Sequence, residues 1–390
     1  MRKTINIGDL GTIITGKTPP TTNKNYYGDY AVFIKPTDIS EHSKYTYETE
    51  EMYSKLAAEK YESSLIPKGA ICVPCIGTVG TKMTMAPCDC YTNQSINSII
   101  CNENYDNEYV YYLIKNFLPG LKAYNLGTAS GREYVSKSNF EKIELVAEQD
   151  KEIQKKIGII LSRYDSLIEN YQKQIKLLEE AAQRLYKEWF VDLHFPGHEN
   201  TNIIDGVPEG WEKKKLIDLV DVQYGYAFDG HLFNSKGEGT PIVRIRNIPD
   251  GCTSDYTTEE ANDSYIVNDG DILIGMDGIF HINTWCGGKS YLVQRACSFR
   301  PKNVSMKGFI LQAIYEPIKF FENTVVGATV AHLGKKHIDS IELLVSNDDK
   351  MYKPFEKMFN ERQTLKTQLR LLTEARDRLL PKLISGEITV

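Results

Sequence analysis

The sequence predicts an α+β protein in which two similar mixed α/β domains alternate with two long helices. Residues 148–192 and 350–390 carry apolar side chains at alternating steps of three and four, as coiled-coil helices do. The remainder consists of short apolar runs separated by glycine and proline, which indicate short strands. With 390 residues, 41% of them apolar, the chain has room for two or three domains.

The first long helix is predicted over residues 148–191 and the second over residues 351–385. The two align without a gap, so that Leu178 matches Leu372. Because each helix has an apolar stripe that needs a partner, we expect the two to pack antiparallel as a coiled coil, with an approximate twofold axis relating the halves. The main seam of the first helix is Ile153, Ile157, Ile160, Tyr164, Leu167, Tyr171, Leu178, Ala181 and Leu185, widened by Leu161, Ile168, Ile175 and Ala182.

The segments before the two helices repeat each other. Residues 33–39 match residues 242–248, residues 69–77 match residues 270–278, and Gln94 matches Gln294. Residues 107–117 and 306–320 are predicted helices within these segments. The repeat predicts a first domain at 1–147, a long helix at 148–192, a second domain at 193–349 and a second long helix at 350–390.

Composition points to a cytoplasmic protein without a membrane span or secretory signal. Its cysteines are expected to be reduced. Cys72 and Cys75 form a C-x-x-C and Cys88 and Cys90 a C-x-C, spacings that could suggest a zinc site. In the second copy of the repeat, however, Leu273 and Met276 occupy the positions equivalent to Cys72 and Cys75. We therefore interpret these cysteines as strand core, and we expect no metal and no cofactor.

Residues 11–18 match the phosphate-binding pattern G-x-x-x-x-G-K-[ST]. A phosphate-binding loop must lead directly into a helix, whereas Pro19 and Pro20 disfavour a helix there. The second copy keeps only the second glycine, Gly225. An ATPase that uses Gly11–Thr18 is therefore an alternative function, and a structural coiled-coil adaptor is another.

The chain resembles the specificity subunit of type I restriction-modification enzymes in the order of its domains and helices. It also resembles that subunit in Glu148-Gln149 at the start of the first helix and in the two helix endings, LYKEWFVD (185–192) and LLPKLISGEI (379–388). The corresponding start of the second helix, residues 347–350, departs from this pattern because it lacks a Glu-Gln pair. The resemblance covers nearly the whole chain. It implies two target recognition domains that each read half of a bipartite site in double-stranded DNA. It also implies a coiled coil that sets the spacer and docks two methyltransferase subunits. Methylation and ATP-driven cleavage would belong to methyltransferase and restriction partners, so the chain itself would not be an enzyme.

The negative net charge disfavours binding to the phosphates of DNA, because residues 193–349 carry −8 and the whole chain carries −6. Base-reading candidates are the basic, amide and hydroxyl side chains in turn-rich segments, since these side chains pair with base edges. They are Lys17, Thr18, Lys35, Thr37, Lys82 and Arg132 in the first domain, and Arg244, Arg246, Asn247, Lys289 and Lys336 in the second. His281 and His332 are weaker candidates. Partner-docking candidates at the helix ends are Tyr186, Trp189, Phe190, Leu380, Leu383 and Ile384.

Overall fold

The computed structural model describes residues 2–41, 43–125, 127, 132–324 and 331–390. The chain divides into two compact units, Met1–Glu169 with Leu372–Val390, and Asn170–Leu371. Each unit contains one mixed domain and part of each long helix. The predicted α+β class is confirmed. Among the described helices, none combines the length and the apolarity that a bilayer crossing requires.

The described part of the first domain contains short strands that form three small sheets. Its strands are β1 (Arg2–Asn6), β2 (Gly11–Thr15), β3 (Tyr27–Gly28), β4 (Ala31–Ile34), β5 (Met52–Tyr53), β6 (Ile71–Pro74), β7 (Thr84–Met85), β8 (Tyr91–Thr92), β9 (Ile96–Cys101) and β10 (Glu144–Glu148). Its helices are α1 (Lys55–Lys60), α2 (Asn107–Phe117) and α3 (Lys137–Glu141). The sheet orders are β1-β10, β2-β9-β6-β7 and β3-β5-β4-β8, with β4 parallel to β8. The first long helix, α4 (Lys151–Tyr186), ends in a π-helical turn at Lys187–Val191.

The second domain follows a short hairpin. Its strands are β11 (Ile203–Ile204), β12 (Val207–Pro208), β13 (Trp211–Lys215), β14 (Val220–Tyr224), β15 (Phe233–Asn234), β16 (Thr240–Val243), β17 (Tyr256–Thr257), β18 (Ile266–Val267), β19 (Ile272–Gly275), β20 (Ile282–Thr284), β21 (Ser290–Leu292), β22 (Ala296–Pro301) and β23 (Glu342–Ser346). Its helices are α5 (Leu216–Leu219), α6 (Lys307–Ala313), α7 (Tyr315–Thr324) and α8 (Lys335–Asp339), and the second long helix is α9 (Lys353–Ser385).

The predicted repeat is confirmed sheet by sheet. The pair β1-β10 corresponds to β13-β23, and the sheet β2-β9-β6-β7 corresponds to β14-β22-β19-β20. The sheet β3-β5-β4-β8 corresponds to β15-β17-β16-β21, which gains β18 at its edge. Where β18 would lie, the described part of the first domain has an isolated bridge from Ile66 to Cys90.

One predicted helix is interrupted. Helix α2 has the predicted bounds, but the second-domain helix predicted over 306–320 is broken at Ile314 into α6 and α7. Pro317 explains the break, because proline has no N–H for the Ala313 carbonyl and its ring clashes with that carbonyl. Proline is tolerated in the first turn of a helix, so α7 starts just before it.

Within each unit the two long helices run antiparallel, as predicted. In the first unit, Asp165 on α4 pairs with Arg376 on α9, and Ile157 shares a core with the later residue Leu383. In the second unit, Glu179 pairs with Arg362, and the ring of Trp189 meets that of Phe355, with centroids 6.1 Å apart.

The buried face of α4 includes Ile157 of the predicted main seam, but its other most buried positions lie one residue away from that seam. Leu167, assigned to that seam, is exposed, whereas Leu161 and Ile168 are buried. Two polar residues, Gln154 and Asp165, occupy buried positions on the same face and are hydrogen-bonded there. The assignment of Leu167 to the seam was therefore wrong, because apolarity alone cannot place a seam that contains satisfied polar groups.

Candidate nucleic-acid interface

The segment that matches a phosphate-binding loop is not one. Gly11–Thr15 forms strand β2, which pairs with β9, and residues 16–23 continue as a loop without a helix. A Cβ added at Gly16 would lie 2.1 Å from the Thr92 carbonyl oxygen, and one at Gly225 would lie 2.1 Å from the Val293 carbonyl oxygen. The glycine kept in both copies therefore permits close backbone approach, and the geometry offers no cradle for phosphate.

Three of the four cysteines in the two motifs pack in the core. Cys72 and Cys75 are buried, and burial raises the pKa of each thiol to about 12. Cys90 is also buried, whereas Cys88 is exposed in a turn and was wrongly assigned to the core. Within the described residues no group of His, Cys, Asp and Glu side chains is arranged to hold a metal ion.

Five loop segments in each domain meet at one end of the sheets, and we call this surface the shared edge. It comprises residues 16–18, 35–38, 75–77, 93–95 and 132–135 in the first unit, and residues 225–227, 244–247, 276–278, 293–295 and 331–334 in the second. The parallel strands β4 and β8 bring two of these segments together, because the segments follow the carboxyl ends of adjacent strands. The pair β16 and β21 does the same in the second unit.

Backbone hydrogen bonds hold each shared edge in the same way. In the first unit they run from Gly16 N to Ile96 O (3.1 Å), Lys17 N to Thr92 O (2.9 Å), Cys75 N to Ser95 O (2.7 Å), Gly77 N to Glu133 O (2.9 Å), Asn93 N to Ile34 O (3.0 Å) and Val135 N to Cys75 O (2.8 Å). In the second unit they run from Gly225 N to Ala296 O (3.0 Å), Tyr226 N to Leu292 O (2.9 Å), Met276 N to Arg295 O (2.9 Å), Gly278 N to Ala331 O (3.0 Å), Val293 N to Val243 O (3.0 Å) and Leu333 N to Met276 O (2.8 Å). These bonds involve no side chain, so the side chains on the edge are free to differ.

In the first unit, several predicted base-reading residues lie on the shared edge. The exposed Lys17 ammonium is 3.3 Å from Ser63 Oγ, and the Thr18 hydroxyl donates to Gln94 Oε1. Thr37 is exposed in the turn after β4, and Arg132 is exposed beside residues 133–135. The edge therefore presents hydrogen-bonding groups from three separate loops.

Lys35 occupies the same edge but is partly neutralised. Its ammonium lies 2.7 Å from Glu50 Oε2 and 3.3 Å from Glu51 Oε2. Burial lowers the pKa of Lys35, but the hydrogen bonds to Glu50 and Glu51 outweigh burial and raise it. Lys35 thus remains charged, with its charge largely balanced within the domain.

In the second unit, Arg244, Arg246 and Asn247 form the corresponding turn. The amide oxygen of Asn247 accepts from the Arg244 backbone N–H at 2.9 Å, which is the cap that Asp38 provides to Lys35 in the first unit. Asn247 therefore has a structural role in the turn. Arg246 binds both carboxylate oxygens of Asp255 at 2.7 Å, and the guanidinium of Arg244 lies 5.5 Å from the Phe233 ring centroid.

The remaining predicted residues lie off the shared edge. Lys82 donates to the Ile39 carbonyl at 3.1 Å, so its ammonium supports the first-unit loop that follows residues 35–38. Lys289 is exposed just before β21, at the opposite end of that strand from the edge, and Lys336 is exposed on α8. His281 is half-buried and lies between β19 and β20.

Sequence reasoning missed one charged group on the second edge. Asp277 contacts both Arg295 and His332, of which only the histidine was considered, and only as a weak candidate. Gln94 and Gln294 were also missed as site residues and are exposed on equivalent turns. The alignment of Gln94 with Gln294 was the available signal, because it marks Arg295 as the next residue on the edge.

Most predicted docking side chains are in the cores. Leu380, Leu383 and Ile384 are buried in the first unit, in the same cluster as Ile157 and Leu161. These leucines and the isoleucine therefore cannot offer their side chains to a partner, and the structure corrects this prediction.

At the end of α4, Phe190 is buried and stacks on Tyr186 with ring centroids 5.5 Å apart. Tyr186 and Trp189 are partly buried against the same second-unit core. Burial raises the pKa of Tyr186 to about 12, in keeping with a packed phenol. The aromatic residues at the end of α4 thus attach this helix to the core of the second unit.

Known proteins share this organisation. A model of the type I restriction modification DNA specificity domain matches residues 2–180 and 208–370. The type I restriction enzyme MjaIX specificity subunit of Methanocaldococcus jannaschii is 27% identical over 418 residues, covering 98% of this chain and 93% of that protein. The HindI specificity subunit of Haemophilus influenzae is 38% identical over 165 residues, covering 40% of this chain and 35% of that protein.

A solved structure has the same fold. The S subunit of a type I restriction-modification system from M. genitalium superposes with a TM-score of 0.59 at 17% identity, covering 98% of this chain and 96% of that chain. The family match includes most of both domains, most of the first long helix and about half of the second. The chain therefore belongs to the family of type I restriction-modification DNA specificity subunits.

Proposed function

We propose that the chain reads a bipartite site in double-stranded DNA, one half with each shared edge, for the methyltransferase and restriction subunits of a type I restriction-modification complex. The observation that carries this proposal is the pairing of one backbone frame with two different sets of polar side chains. A constant frame gives both edges the same shape, and the different side chains provide different donors and acceptors for base edges.

The chain itself is proposed to be non-catalytic. Methyl transfer and cleavage are assigned to the partner subunits, and recognition to this chain. The strand geometry of Gly11–Thr15 supports this division, because the one motif that suggested nucleotide hydrolysis has a packing explanation.

Docking of the methyltransferase subunits is proposed to use the outer faces of the long helices. Ile159 and Leu167 are exposed on α4 in the first unit, and Leu177 on α4 and Leu371 on α9 are exposed in the second. The exposure of these large apolar side chains on the long helices is the support for this proposal. They are better placed for docking than Leu380, Leu383 and Ile384, which are buried.

The test is a methylation map of DNA exposed to the chain reconstituted with its methyltransferase subunits. We expect a bipartite sequence with a fixed spacer. Arg132→Ala should relax only one half and Arg246→Ala only the other, each by about 1 to 3 kcal/mol. Methylation without sequence preference would favour a purely structural adaptor, and ATP hydrolysis by the isolated chain that Lys17→Ala abolishes would favour the ATPase alternative.

A further inference from the structure

Arg295 has an unusual backbone on the shared edge of the second unit. Its φ of 68° lies in the left-handed region, which glycine tolerates and arginine rarely adopts. Residues are held in such conformations only when their surroundings fix them, and these positions cluster at functional sites. Here the Arg295 carbonyl accepts from Met276 N at 2.9 Å, and the side chain is 68% exposed.

A single carboxylate orients the exposed guanidinium. Asp277 Oδ2 lies 3.3 Å from Arg295 Nε, and Asp277 Oδ1 lies 2.5 Å from Nδ1 of His332. The Asp277 side chain is only 20% exposed, so the carboxylate is held by its surroundings more firmly than the two groups that it contacts. Contact at Nε leaves the four N–H donors of the two terminal guanidinium nitrogens for another ligand.

The first unit builds the same hydrogen-bonded frame without this charged group, and Ser95, at the position of Arg295, is not left-handed. The repeat places Ile76, Ser95 and Tyr134 at the positions of Asp277, Arg295 and His332. The bridge from Ile76 to Tyr134 corresponds to the bridge from Asp277 to His332. Since the frame forms with isoleucine, serine and tyrosine, folding of the edge does not require Asp277, Arg295 and His332. A role in ligand recognition accounts for them better.

We propose that Arg295, positioned by Asp277, reads a guanine in the half-site bound by the second domain. Guanine presents two acceptors, O6 and N7, in the major groove, and a guanidinium with two free N–H groups matches them as a bidentate donor. Phosphate is the other acceptor that suits a guanidinium, but a carboxylate beside the arginine repels phosphate and suits a neutral base. Asp277 and His332 are positioning residues, since each acts through the orientation of Arg295.

This inference rests on the proposed function, and one experiment separates the two. The full chain is assembled with its methyltransferase subunits and given a library of DNA sites randomised at each recognised position. The measured quantity is the discrimination ratio, which is the methylation rate for the preferred base divided by that for the next base. If the wild-type complex shows no bipartite preference, the proposed function itself fails.

With wild-type specificity established, Arg295→Ala should lower the discrimination ratio about 5- to 150-fold at one guanine of one half-site. Arg295→Lys keeps the charge but loses the fork, so it should also lose discrimination there. Asp277→Asn should lower the ratio at the same guanine and at no other position. Lys236→Ala, which removes an exposed charge from another loop of the second unit, should leave every ratio unchanged.

Three outcomes would overturn the proposal. The first is that Arg295→Ala leaves every discrimination ratio unchanged, and the second is that it lowers the methylation rate for all sites equally, as loss of a phosphate contact would. The third is that Arg295→Lys retains full discrimination, which would show that charge alone is sufficient. Thermal unfolding of Arg295→Ala and Asp277→Asn should match that of Lys236→Ala, which separates recognition from folding of the edge.

Discussion

The two domains form one backbone frame at the shared edge and place different side chains on it. Lys17 in the first unit stands where Tyr226 stands in the second, and Ser95 stands where Arg295 stands. The hydrogen bonds of the frame are all between backbone groups, so they survive any side-chain change that fits the space. The comparison teaches that the backbone shape of the edge and the side chains proposed to read DNA can vary independently. The shape depends on a few glycines at which the backbone segments approach each other closely.

The units also differ in how charge is buried on their long helices, and this difference gives the largest expected effect. Asp165 and Arg376 are both buried in the first unit, and Tyr112 also donates to Asp165 at 2.5 Å. Glu179 in the second unit is 46% exposed in its pair with Arg362. Arg376→Met should cost about 3 to 5 kcal/mol of unfolding free energy, because it strands a buried carboxylate.

Glu179→Gln removes the exposed partner of the second pair and should cost less than about 1 kcal/mol, because water screens that pair and Arg362 keeps its hydrogen bonds to Asn283 and Thr284. Urea denaturation of both variants measures the difference. Equal losses in the two variants would mean that the pairs do not differ as their burial indicates.

The glycines of the frame come next. Gly16→Ala and Gly225→Ala should each cost about 3 kcal/mol, because the new methyl group would overlap a backbone carbonyl oxygen at 2.1 Å. Gly230→Ala is the control, since open space surrounds that position and its backbone is not left-handed. We expect it to stay within about 0.5 kcal/mol of the wild type in the same denaturation experiment. A clear difference between Gly16→Ala and Gly225→Ala would break the equivalence of the two frames.

A smaller effect depends on pH. Burial, and then repulsion by Arg362, lowers the pKa of Lys366 from 10.5 to about 8. Its ammonium donates to Asn283 Oδ1 at 2.8 Å and to the Thr284 carbonyl at 2.6 Å, which are neutral partners. Between pH 8 and 10 the unfolded state binds more protons than the folded state, so this group makes stability rise with pH.

Relative to Lys366→Met, the wild-type free energy of unfolding should therefore increase by up to about 1.4 kcal/mol per pH unit in that window. Lys357→Met, at an exposed position of the same helix, should show no such difference from the wild type. A difference between wild type and Lys366→Met that stays flat from pH 8 to 10 would contradict the lowered pKa.

The sequence predicted the features that repetition and apolar periodicity encode. The two domains, the antiparallel helices and the bounds of α2 follow from aligned segments and helical spacing. The seam of α4 was displaced because Gln154 and Asp165 are buried with their hydrogen-bond partners, which only tertiary structure supplies. The docking prediction failed for Leu380 and Leu383 because apolar residues at a helix end suit a domain core as well as a partner.

Prediction of the candidate site was less complete. Most of the basic residues named from turn composition lie on the shared edges, because those edges are where the loops meet. Their ion pairs, such as that of Arg246 with Asp255, join residues nine positions apart in an irregular connection, where no periodic spacing marks the partners. Arg295 could be located only through the aligned pair Gln94 and Gln294, because arginine does not favour the left-handed backbone that it adopts and its residue type alone predicts nothing there.

The most direct test of independent reading uses the one side chain that both edges share. Gln94 and Gln294 are exposed at equivalent positions, and glutamine pairs with adenine in the major groove. Methylation maps of the reconstituted complex should show that Gln94→Ala relaxes one half of the site and Gln294→Ala the opposite half, each leaving the other half and the spacer unchanged. A map in which either variant degrades both halves equally, or in which neither changes the recognised sequence, would contradict the account.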